Sequence, residues 1–212
     1  VSQATLARAV QKIGKDKKVS GMIVQLPLPK HINTQFVLDK IPRHKDVDVL
    51  SSKALGLFAQ KAFPWLPPTV KAIAILLEEA KVKLQGANIL VVGSGRLVGM
   101  PLSLWLMQQG ATVCVANKST RNLSALTKNA NVIVSGVGLQ GLIKGSMVKK
   151  GAVVIDAGTS IEDGKTKGDV DFDTVSKKAK FISPVPGGVG PLTVACLFQN
   201  LIVLSRQKFN AP

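Results

Sequence analysis

The chain has 212 residues, of which 46% are hydrophobic and 19% charged, and its formal net charge is +16. This length suits one large or two small domains with a buried core, and the hydrophobic content excludes an intrinsically disordered chain. The charge is typical of a solvated basic surface, or of a protein that binds a polyanion such as nucleic acid or a phosphorylated cofactor. Because aromatic residues make up 4% and tyrosine is absent, we do not expect a surface that stacks single-stranded bases.

The two cysteines, Cys114 and Cys196, lie in apolar stretches. They predict buried thiols in a reducing compartment, with neither a disulfide framework nor a metal site. The most apolar long stretch, residues 189–204, is interrupted by polar residues and is shorter than the ~20 residues of a membrane span, so it predicts a buried helix. We expect no signal peptide and a soluble, cytoplasmic protein.

The chain starts in a helical pattern, with Ser2 followed by apolar residues at Leu6, Val10 and Ile13. Because no earlier segment covers that pattern, we expect further sequence upstream. Beyond it, short runs rich in β-branched residues alternate with amphipathic segments. The predicted strands are residues 21–26, 88–92, 111–116, 131–135 and 152–156. The predicted helices are residues 34–40, 69–80, 98–109, 124–129 and 145–149.

The apolar runs do not alternate with polar residues, which favours strands that are buried on both faces, as in a parallel sheet. Strand–helix alternation predicts right-handed βαβ units. We therefore predict an α/β protein, with a Rossmann-like, doubly wound parallel sheet domain and a second, N-terminally shortened α/β lobe. Proline-rich stretches at 64–68 and 184–191 mark the boundaries. They delimit a lobe at 1–68, to which a final helix at 192–205 returns, and a nucleotide-binding domain at 69–191.

A glycine-rich loop follows the strand at 88–92 and leads into a helix. Such a turn lets the backbone approach a pyrophosphate at the positive end of the helix. The GxGxxxG spacing is one residue longer than the common dinucleotide fingerprint, and a glycine-rich turn without ligand is the alternative. The residues predicted to bind the cofactor here are Gly93, Ser94, Gly95, Arg96, Leu97 and Val98.

The next predicted strand ends at Asn117, Lys118 and Ser119, where NAD-binding folds usually place a carboxylate that holds the ribose hydroxyls. Cations and hydroxyls suit a 2′-phosphate, so the loop favours NADP over NAD, although an ordinary polar loop explains it equally well. Small residues end the next two strands and leave room for a nicotinamide ring. They are Gly136, Gly138, Gly158 and Thr159.

His31 and His44 lie in polar surroundings, and we expect them to be surface residues.

Five segments together resemble the methylenetetrahydrofolate dehydrogenase/cyclohydrolases of one-carbon metabolism, and the resemblance covers essentially the whole chain. They are residues 24–29 (VQLPLP), 45–48 (KDVD), 91–101, 168–172 (GDVDF) and 184–191 (PVPGGVGP). The resemblance implies NADP- or NAD-linked oxidation of 5,10-methylenetetrahydrofolate to the methenyl form, and its hydrolysis to 10-formyltetrahydrofolate. It also implies two α/β lobes, of which 1–68 carries substrate and catalytic residues, and a homodimer paired through the NAD(P)-binding domains.

The resemblance assigns roles to individual residues. Gln25 matches the glutamine beside the reacting carbon, which hydrogen-bonds the catalytic lysine. Asp48 matches the aspartate that anchors the pterin ring, although a loop-capping aspartate is the alternative. The segment that lines the folate site, or forms a rigid hinge between the lobes, contains Pro186, Gly187, Gly190 and Pro191.

The chain departs from the family pattern at several positions. Val49 replaces the usual glycine after the pterin aspartate, and the usual Pro-Cys-Thr-Pro is replaced at residues 67–70. Ser94-Gly95 replaces a common Arg-Ser and removes a cation that meets the 2′-phosphate. Arg96 and Lys118 are the candidates to replace it, so the choice between NADP and NAD stays open. A histidine common after the second strand is Asn117.

The family's catalytic lysine lies on a Tyr-x-x-x-Lys segment upstream of the region that this chain matches. Three interpretations follow: an incompletely represented active enzyme, a short and catalytically impaired paralogue that binds NAD(P) or folate, or a basic nucleic-acid-binding protein that keeps the fold. The motifs favour the first, with folate derivatives as partners and neither nucleic acid nor membrane. We expect the 212 residues alone to have negligible cyclohydrolase activity, because the acid–base lysine is absent from them.

Overall fold

The structure, a computed structural model, describes residues 1–209, with side chains as far as Arg206. Its helices are α1 (Gln3–Lys15), α2 (Thr34–Leu38), α3 (Ser52–Ala59), α4 (Pro68–Glu79), α5 (Gly99–Gln108), α6 (Leu123–Asn129), α7 (Phe172–Val175) and α8 (Val189–Phe209). Its strands are β1 (Asn88–Val92), β2 (Thr112–Ala116), β3 (Val132–Ser135), β4 (Val153–Asp156), β5 (Ser160–Glu162), β6 (Lys165–Lys167) and β7 (Phe181–Ile182). Short 3₁₀ helices lie at Arg43–Lys45 and Gly145–Met147.

The chain forms two compact units. The first comprises Val1–Pro68 together with the residues from Ala195, and the second comprises Thr69–Val194.

The first unit packs α1 and α2 around a small apolar cluster. Ser2 caps α1 by accepting a hydrogen bond from the Thr5 N–H at 3.2 Å, so the predicted N-terminal helix is confirmed. The other end of α1 is held by a buried cation: Lys45 Nζ donates to the carbonyl oxygens of Gly14 (2.6 Å) and Asp16 (2.7 Å). A lysine is well suited to this place, because the last carbonyls of a helix have no partner within it.

The prediction of a strand at residues 21–26 is wrong. Within the described chain this segment makes one isolated parallel bridge, between Met22 and Asp46. The pairing does not continue because the opposite segment turns away at Val49, whose φ is +59°, and because the Leu50 and Ser51 N–H groups donate to the Asp46 carboxylate. The Leu50 and Ser51 N–H groups are therefore lost to a ladder.

The second unit contains a parallel sheet in the order β2-β1-β3-β4-β7, and the predicted α/β class with a Rossmann-like parallel sheet is confirmed. β3 and β4 are buried along their whole length and β1 in all but its first residue, as their apolar runs predicted. β2 and β3 lie on opposite sides of β1. The chain order therefore reverses at β1, and the crevice beyond the carboxyl ends of β1 and β3 is where such sheets bind ligands.

β2 is the exception to this burial. It pairs with β1 alone and lies at the edge of the sheet, so most of its residues are at least partly exposed. The prediction that β2 is buried on both faces is therefore wrong, and so is the prediction that Cys114 is buried. Cys196 on α8 is buried, as predicted.

Several short elements had no counterpart among the predictions, namely α3, α7, β7, the β5–β6 hairpin and the 3₁₀ helix Arg43–Lys45. The predicted helix at 145–149 is only the 3₁₀ helix Gly145–Met147.

The prediction of a buried final helix is also wrong, because α8 packs along one side only. Its buried stripe contains Cys196, Asn200 and Leu204, whereas Val194 and Phe198 are each 57% exposed. The buried Asn200 Nδ2 donates to the carbonyl oxygens of Val47 (3.1 Å) and Leu66 (2.9 Å) within the first unit. By length and composition alone α8 is apolar enough to cross a membrane, which is weak evidence by itself.

Candidate functional site

The glycine-rich loop between β1 and α5 has the geometry of a phosphate-binding turn. Gly93 has a φ of +107°, and a Cβ on it would lie 2.8 Å from the carbonyl oxygen of Gly136. A Cβ on Gly99 would collide with the carbonyl oxygen of Gly93. Gly95 has open space around it, so the protein's packing does not require a glycine there. The lack of a side chain instead lets a ligand approach the backbone. α5 begins at Gly99 without a side-chain cap. The Met100 N–H donates to the Gly95 carbonyl oxygen and Pro101 has no N–H, so in the first turn the Gly99 N–H is the donor left for an anion.

Arg96 carries an unsatisfied donor within this loop. Its Nη1 atom is buried and has no hydrogen-bond partner among the described residues. A buried guanidinium nitrogen without an acceptor is costly, and a phosphate oxygen is an acceptor that matches its geometry. Arg96 thus indicates an anionic ligand, although it is not among the residues that line the two cavities described below.

A first cavity of about 560 Å³ lies beyond the carboxyl ends of β1, β2 and β3. The structure brings seven of the predicted cofactor residues together around it: Gly93, Ser94, Gly95, Asn117, Lys118, Ser119 and Gly136. The apolar part of its wall was not predicted. It comprises Val92, Ala116, Leu123, Val137, Leu139 and Leu142, which come from the ends of β1 and β2, the start of α6 and the loop after β3. No local sequence motif predicts these positions.

The loop after β2 is a turn closed by its own hydrogen bonds. Asn117 Oδ1 accepts from the Ser119 N–H at 2.9 Å, and Thr120 Oγ1 accepts from the Asn117 N–H at 2.9 Å. Asn117 therefore shapes the turn, and the exposed side chains of Lys118 and Ser119 are the groups it presents to the cavity.

A second cavity of about 400 Å³ lies beyond β4, within the same unit. It gathers predicted cofactor residues and predicted folate residues in one place: Leu97, Val98, Gly158, Thr159, Pro186, Gly187, Gly190 and Pro191. Thr69 and Thr193 also line it and were not predicted. Gly138 is not among the residues that line either cavity, but a Cβ on it would lie 3.2 Å from the carbonyl oxygen of Thr159.

Two buried carboxylates hold the loops that form both cavities. Asp156 accepts hydrogen bonds from the N–H groups of Gly158 (2.9 Å), Asp169 (3.1 Å) and Val170 (2.9 Å). Burial raises the pKa of the Asp156 carboxyl group, these bonds oppose that rise, and the charge of Asp169 adds to it. Asp169 belongs to the GDVDF segment, which carries part of the family resemblance, yet neither aspartate was predicted to have a role.

In the first unit, the KDVD segment contains one carboxylate that is satisfied and one that is not. Asp46 is fully buried and accepts from the N–H groups of Leu50 (3.2 Å) and Ser51 (2.8 Å). Burial, reinforced by the charge of Asp46, raises the pKa of Asp48 to about 6. Asp48 is thus a partly buried carboxylate that is ionised at neutral pH and ready to accept N–H donors from a ligand.

Gln25 lies three residues after Met22, whose isolated bridge to Asp46 ties this segment to the KDVD segment. Its side chain is exposed, and Nε2 donates only to the carbonyl oxygen of its neighbour Leu26, at 3.1 Å. A local bond of this kind leaves the amide oxygen available for a ligand.

His31 and His44 are both exposed, which confirms that they are surface residues. Among the described residues, no three His, Cys, Asp or Glu side chains are placed to hold a metal ion.

The residues around the two cavities fit a dinucleotide. The start of α5, an open glycine turn and a buried guanidinium nitrogen with no acceptor in the described part of the chain lie together at the carboxyl end of β1. All three favour a diphosphate. One cavity on either side of this loop gives room for the two halves of such a molecule.

Comparison with known proteins gives matches over nearly the whole chain. The family model for the NAD(P)-binding domain of tetrahydrofolate dehydrogenase/cyclohydrolase matches residues 67–209, and that for its catalytic domain matches residues 1–48. The bifunctional protein FolD 2 of Lactobacillus johnsonii is 43% identical over 98% of this chain and 73% of its own length.

Solved structures agree with the sequence matches. The bifunctional FolD enzyme of Campylobacter jejuni has a TM-score of 0.93 and 37% identity, over 98% of this chain and 74% of its own. The methylenetetrahydrofolate dehydrogenase-cyclohydrolase of Trypanosoma brucei, complexed with NADP cofactor and inhibitor, has a TM-score of 0.93 and 33% identity, over 100% and 75%.

Because the pKa of Asp48 is raised in the folded chain, its ionisation opposes folding. We expect Asp48→Asn to be more stable than the wild type, by on the order of 2 kcal/mol, above pH 6. This difference should shrink as pH falls from about 6 towards the unfolded value near 4, where both states are protonated. Chemical unfolding at pH values from 4 to 8 measures it.

Asp16→Asn is the matched control, because Asp16 is exposed in the same unit. A stability difference between Asp48→Asn and wild type that stays constant over this pH range would contradict the assignment.

Proposed function

The chain belongs to the tetrahydrofolate dehydrogenase/cyclohydrolase family, and we propose on this premise that the protein its gene encodes oxidises 5,10-methylenetetrahydrofolate to 5,10-methenyltetrahydrofolate with NADP and hydrolyses that product to 10-formyltetrahydrofolate. The observation that carries the proposal is the second cavity, where residues expected to bind the nicotinamide and residues expected to bind the folate share one wall. Hydride transfer needs its two partners in contact, and a shared cavity supplies that contact.

A bound nicotinamide supplies the hydride acceptor, and the protein's own residues position the two reactants. Gly158 and Thr159 form the wall at the end of β4, where small side chains admit a flat ring. Pro186 and Pro191 form a stiff apolar wall in the same cavity, against which the folate packs in this proposal.

The first unit contributes the polar recognition of the folate in this proposal. The Asp48 carboxylate, ionised at neutral pH, accepts paired N–H donors from the pterin ring. By the family resemblance, Gln25 is the glutamine that lies beside the reacting carbon.

The first cavity supports NADP rather than NAD as the cofactor. None of the residues described around it is acidic, so no carboxylate is present there to hold free ribose hydroxyls. Lys118 and Ser119 lie on the turn after β2 and offer a cation and a hydroxyl to a 2′-phosphate. Of the two candidate cations, Lys118 lies on the cavity and Arg96 does not.

The open edge of the sheet supports a homodimer paired through the NAD(P)-binding domains. β2 has no strand on its outer side within the described chain, and Val115 on it is 41% exposed. A free row of backbone donors and acceptors with apolar side chains is a surface that a second copy covers well. We also propose a cytoplasmic location, which is supported by the lack of a disulfide bond at Cys114 and Cys196 in the structure.

We predict that NADP is reduced when methylenetetrahydrofolate and NADP are added to the protein that the gene encodes. Absorbance of the reduced cofactor follows the oxidation, and decay of the methenyl product follows the hydrolysis. Binding of NADP and folate without turnover would instead identify an impaired paralogue. Failure to bind either ligand would contradict the proposal as a whole.

Lys118→Gln is predicted to weaken NADP binding by about ten- to a hundredfold, because it removes one charge-assisted hydrogen bond to the 2′-phosphate. NAD lacks this phosphate, so its affinity should change less than twofold. Calorimetric titration with both cofactors measures the difference. Lys150→Gln, an exposed lysine in the turn before β4, is the control. An equal loss for NADP and NAD would refute the role of Lys118.

Val115→Lys is predicted to convert the dimer to a monomer at micromolar concentration, since it puts a charge on each copy of the paired edge. Sedimentation velocity measures the mass of the species. Ile161→Lys is the matched control, because Ile161 is 79% exposed on the β5–β6 hairpin. A dimer that survives Val115→Lys, or a wild type that is monomeric, would rule out this interface.

A further inference from the structure

We propose that Asp169 is a positioning residue for the cofactor: its carboxylate holds the loop after β3 in the shape that the dinucleotide needs. The inference rests on the proposed function, because it concerns the same NADP site. Asp169 is fully buried, so it does not touch the ligand and acts through the backbone around it.

The contacts of the carboxylate converge on one loop. Asp169 Oδ2 accepts from Ser135 Oγ and from the Val137 N–H, both at 2.7 Å, and Oδ1 accepts from the Leu139 N–H at 2.7 Å. Val137 and Leu139 line the first cavity, and Gly136 lies between the donors. These short bonds to a charged acceptor define the path of the whole segment.

Asp169 also contacts the loop that forms the second cavity. A Cβ on Gly158 would collide with the Asp169 carboxylate, so the chain after β4 packs directly on it. The Asp169 N–H and the Gly158 N–H both donate to Asp156 Oδ1, at 3.1 and 2.9 Å. The Asp169 side chain therefore holds a loop of each cavity in place. In this way it fixes where the two halves of a dinucleotide lie relative to each other.

The negative charge is essential to this arrangement. Three donors meet two oxygen atoms, and an ionised carboxylate accepts them all. An asparagine has one acceptor oxygen, and its NH₂ group would face a donor on the loop. The loop contains Gly136 and Gly138, the latter with a φ of +76°, so it has little conformational restraint of its own once a bond is lost.

The test is calorimetric titration of wild type and Asp169→Asn with NADP and with adenosine 2′,5′-bisphosphate, a fragment sized for the first cavity alone. We expect the variant to bind both at least about tenfold more weakly, as the loss of a charge-assisted hydrogen bond implies. Ser135→Ala removes one donor and keeps the carboxylate, so it should give a smaller loss for both ligands. Asp173→Asn is the control: Asp173 is exposed, lies four residues away and has the same charge.

Thermal unfolding without ligand shows whether Asp169→Asn weakens ligand binding itself or only lowers the stability of the fold. If Asp169→Asn is less stable but its folded fraction binds NADP with wild-type affinity, the inference is overturned. If Asp169→Asn does not fold, Ser135→Ala decides, and unchanged affinity in that variant overturns it equally. A wild type that does not bind NADP would defeat the proposed function itself, an outcome distinct from equal binding by wild type and variant.

Discussion

The structure depends on hydrogen bonds from backbone N–H groups to buried carboxylates. The loops that face ligand leave the sheet and the helices, so their N–H groups have no ladder or helical partner, and buried N–H groups are costly without one. Asp46, Asp156 and Asp169 supply that partner, and all three are at most 3% exposed. Since the chain has only 12 acidic residues, the placement of these three in the interior leaves the surface more basic than the composition suggests.

The side chains that we propose to bind ligands are polar groups for which the buried carboxylates and the backbone provide no hydrogen-bond partner. Asp46 and Asp48 are two residues apart, but backbone N–H groups satisfy Asp46, whereas burial raises the pKa of Asp48. Arg96 is the cationic counterpart, with a buried Nη1 and no acceptor among the described residues. Among the described residues, Arg96 Nη1 and Asn200 Oδ1 are the buried side-chain atoms without a hydrogen-bond partner, and Arg96 lies in the glycine-rich loop. A ligand is the simplest partner for Arg96 and for the Asp48 carboxylate.

The parts of the fold that were predictable are those with a local physical signature. β1, β3 and β4 were predicted because strands buried on both faces are continuous apolar runs, and the phosphate loop because its glycines serve a turn and a close approach. Residues 21–26 carry the same kind of apolar run and form no strand, since a strand needs a partner and Val49 turns the neighbouring segment away. The hydrophobic pattern is a property of the local sequence, whereas strand pairing depends on segments that are distant in the sequence. Asp169 escaped prediction for the same reason, because its donors are 30 to 34 residues away in sequence.

The proposed cofactor preference and the proposed geometry of hydride transfer are built on separate parts of the molecule. The turn that presents Lys118 is closed by its own hydrogen bonds and follows β2, the exposed edge strand. A substitution in this turn changes what the cavity offers to a 2′-phosphate without altering any core contact. The loops after β3 and β4, by contrast, are tied to each other through Asp156 and Asp169, so neither moves alone. Substitutions in this surface turn can therefore change the preference between NADP and NAD. The position of the nicotinamide ring would be unaffected, because buried carboxylates hold the loops around it.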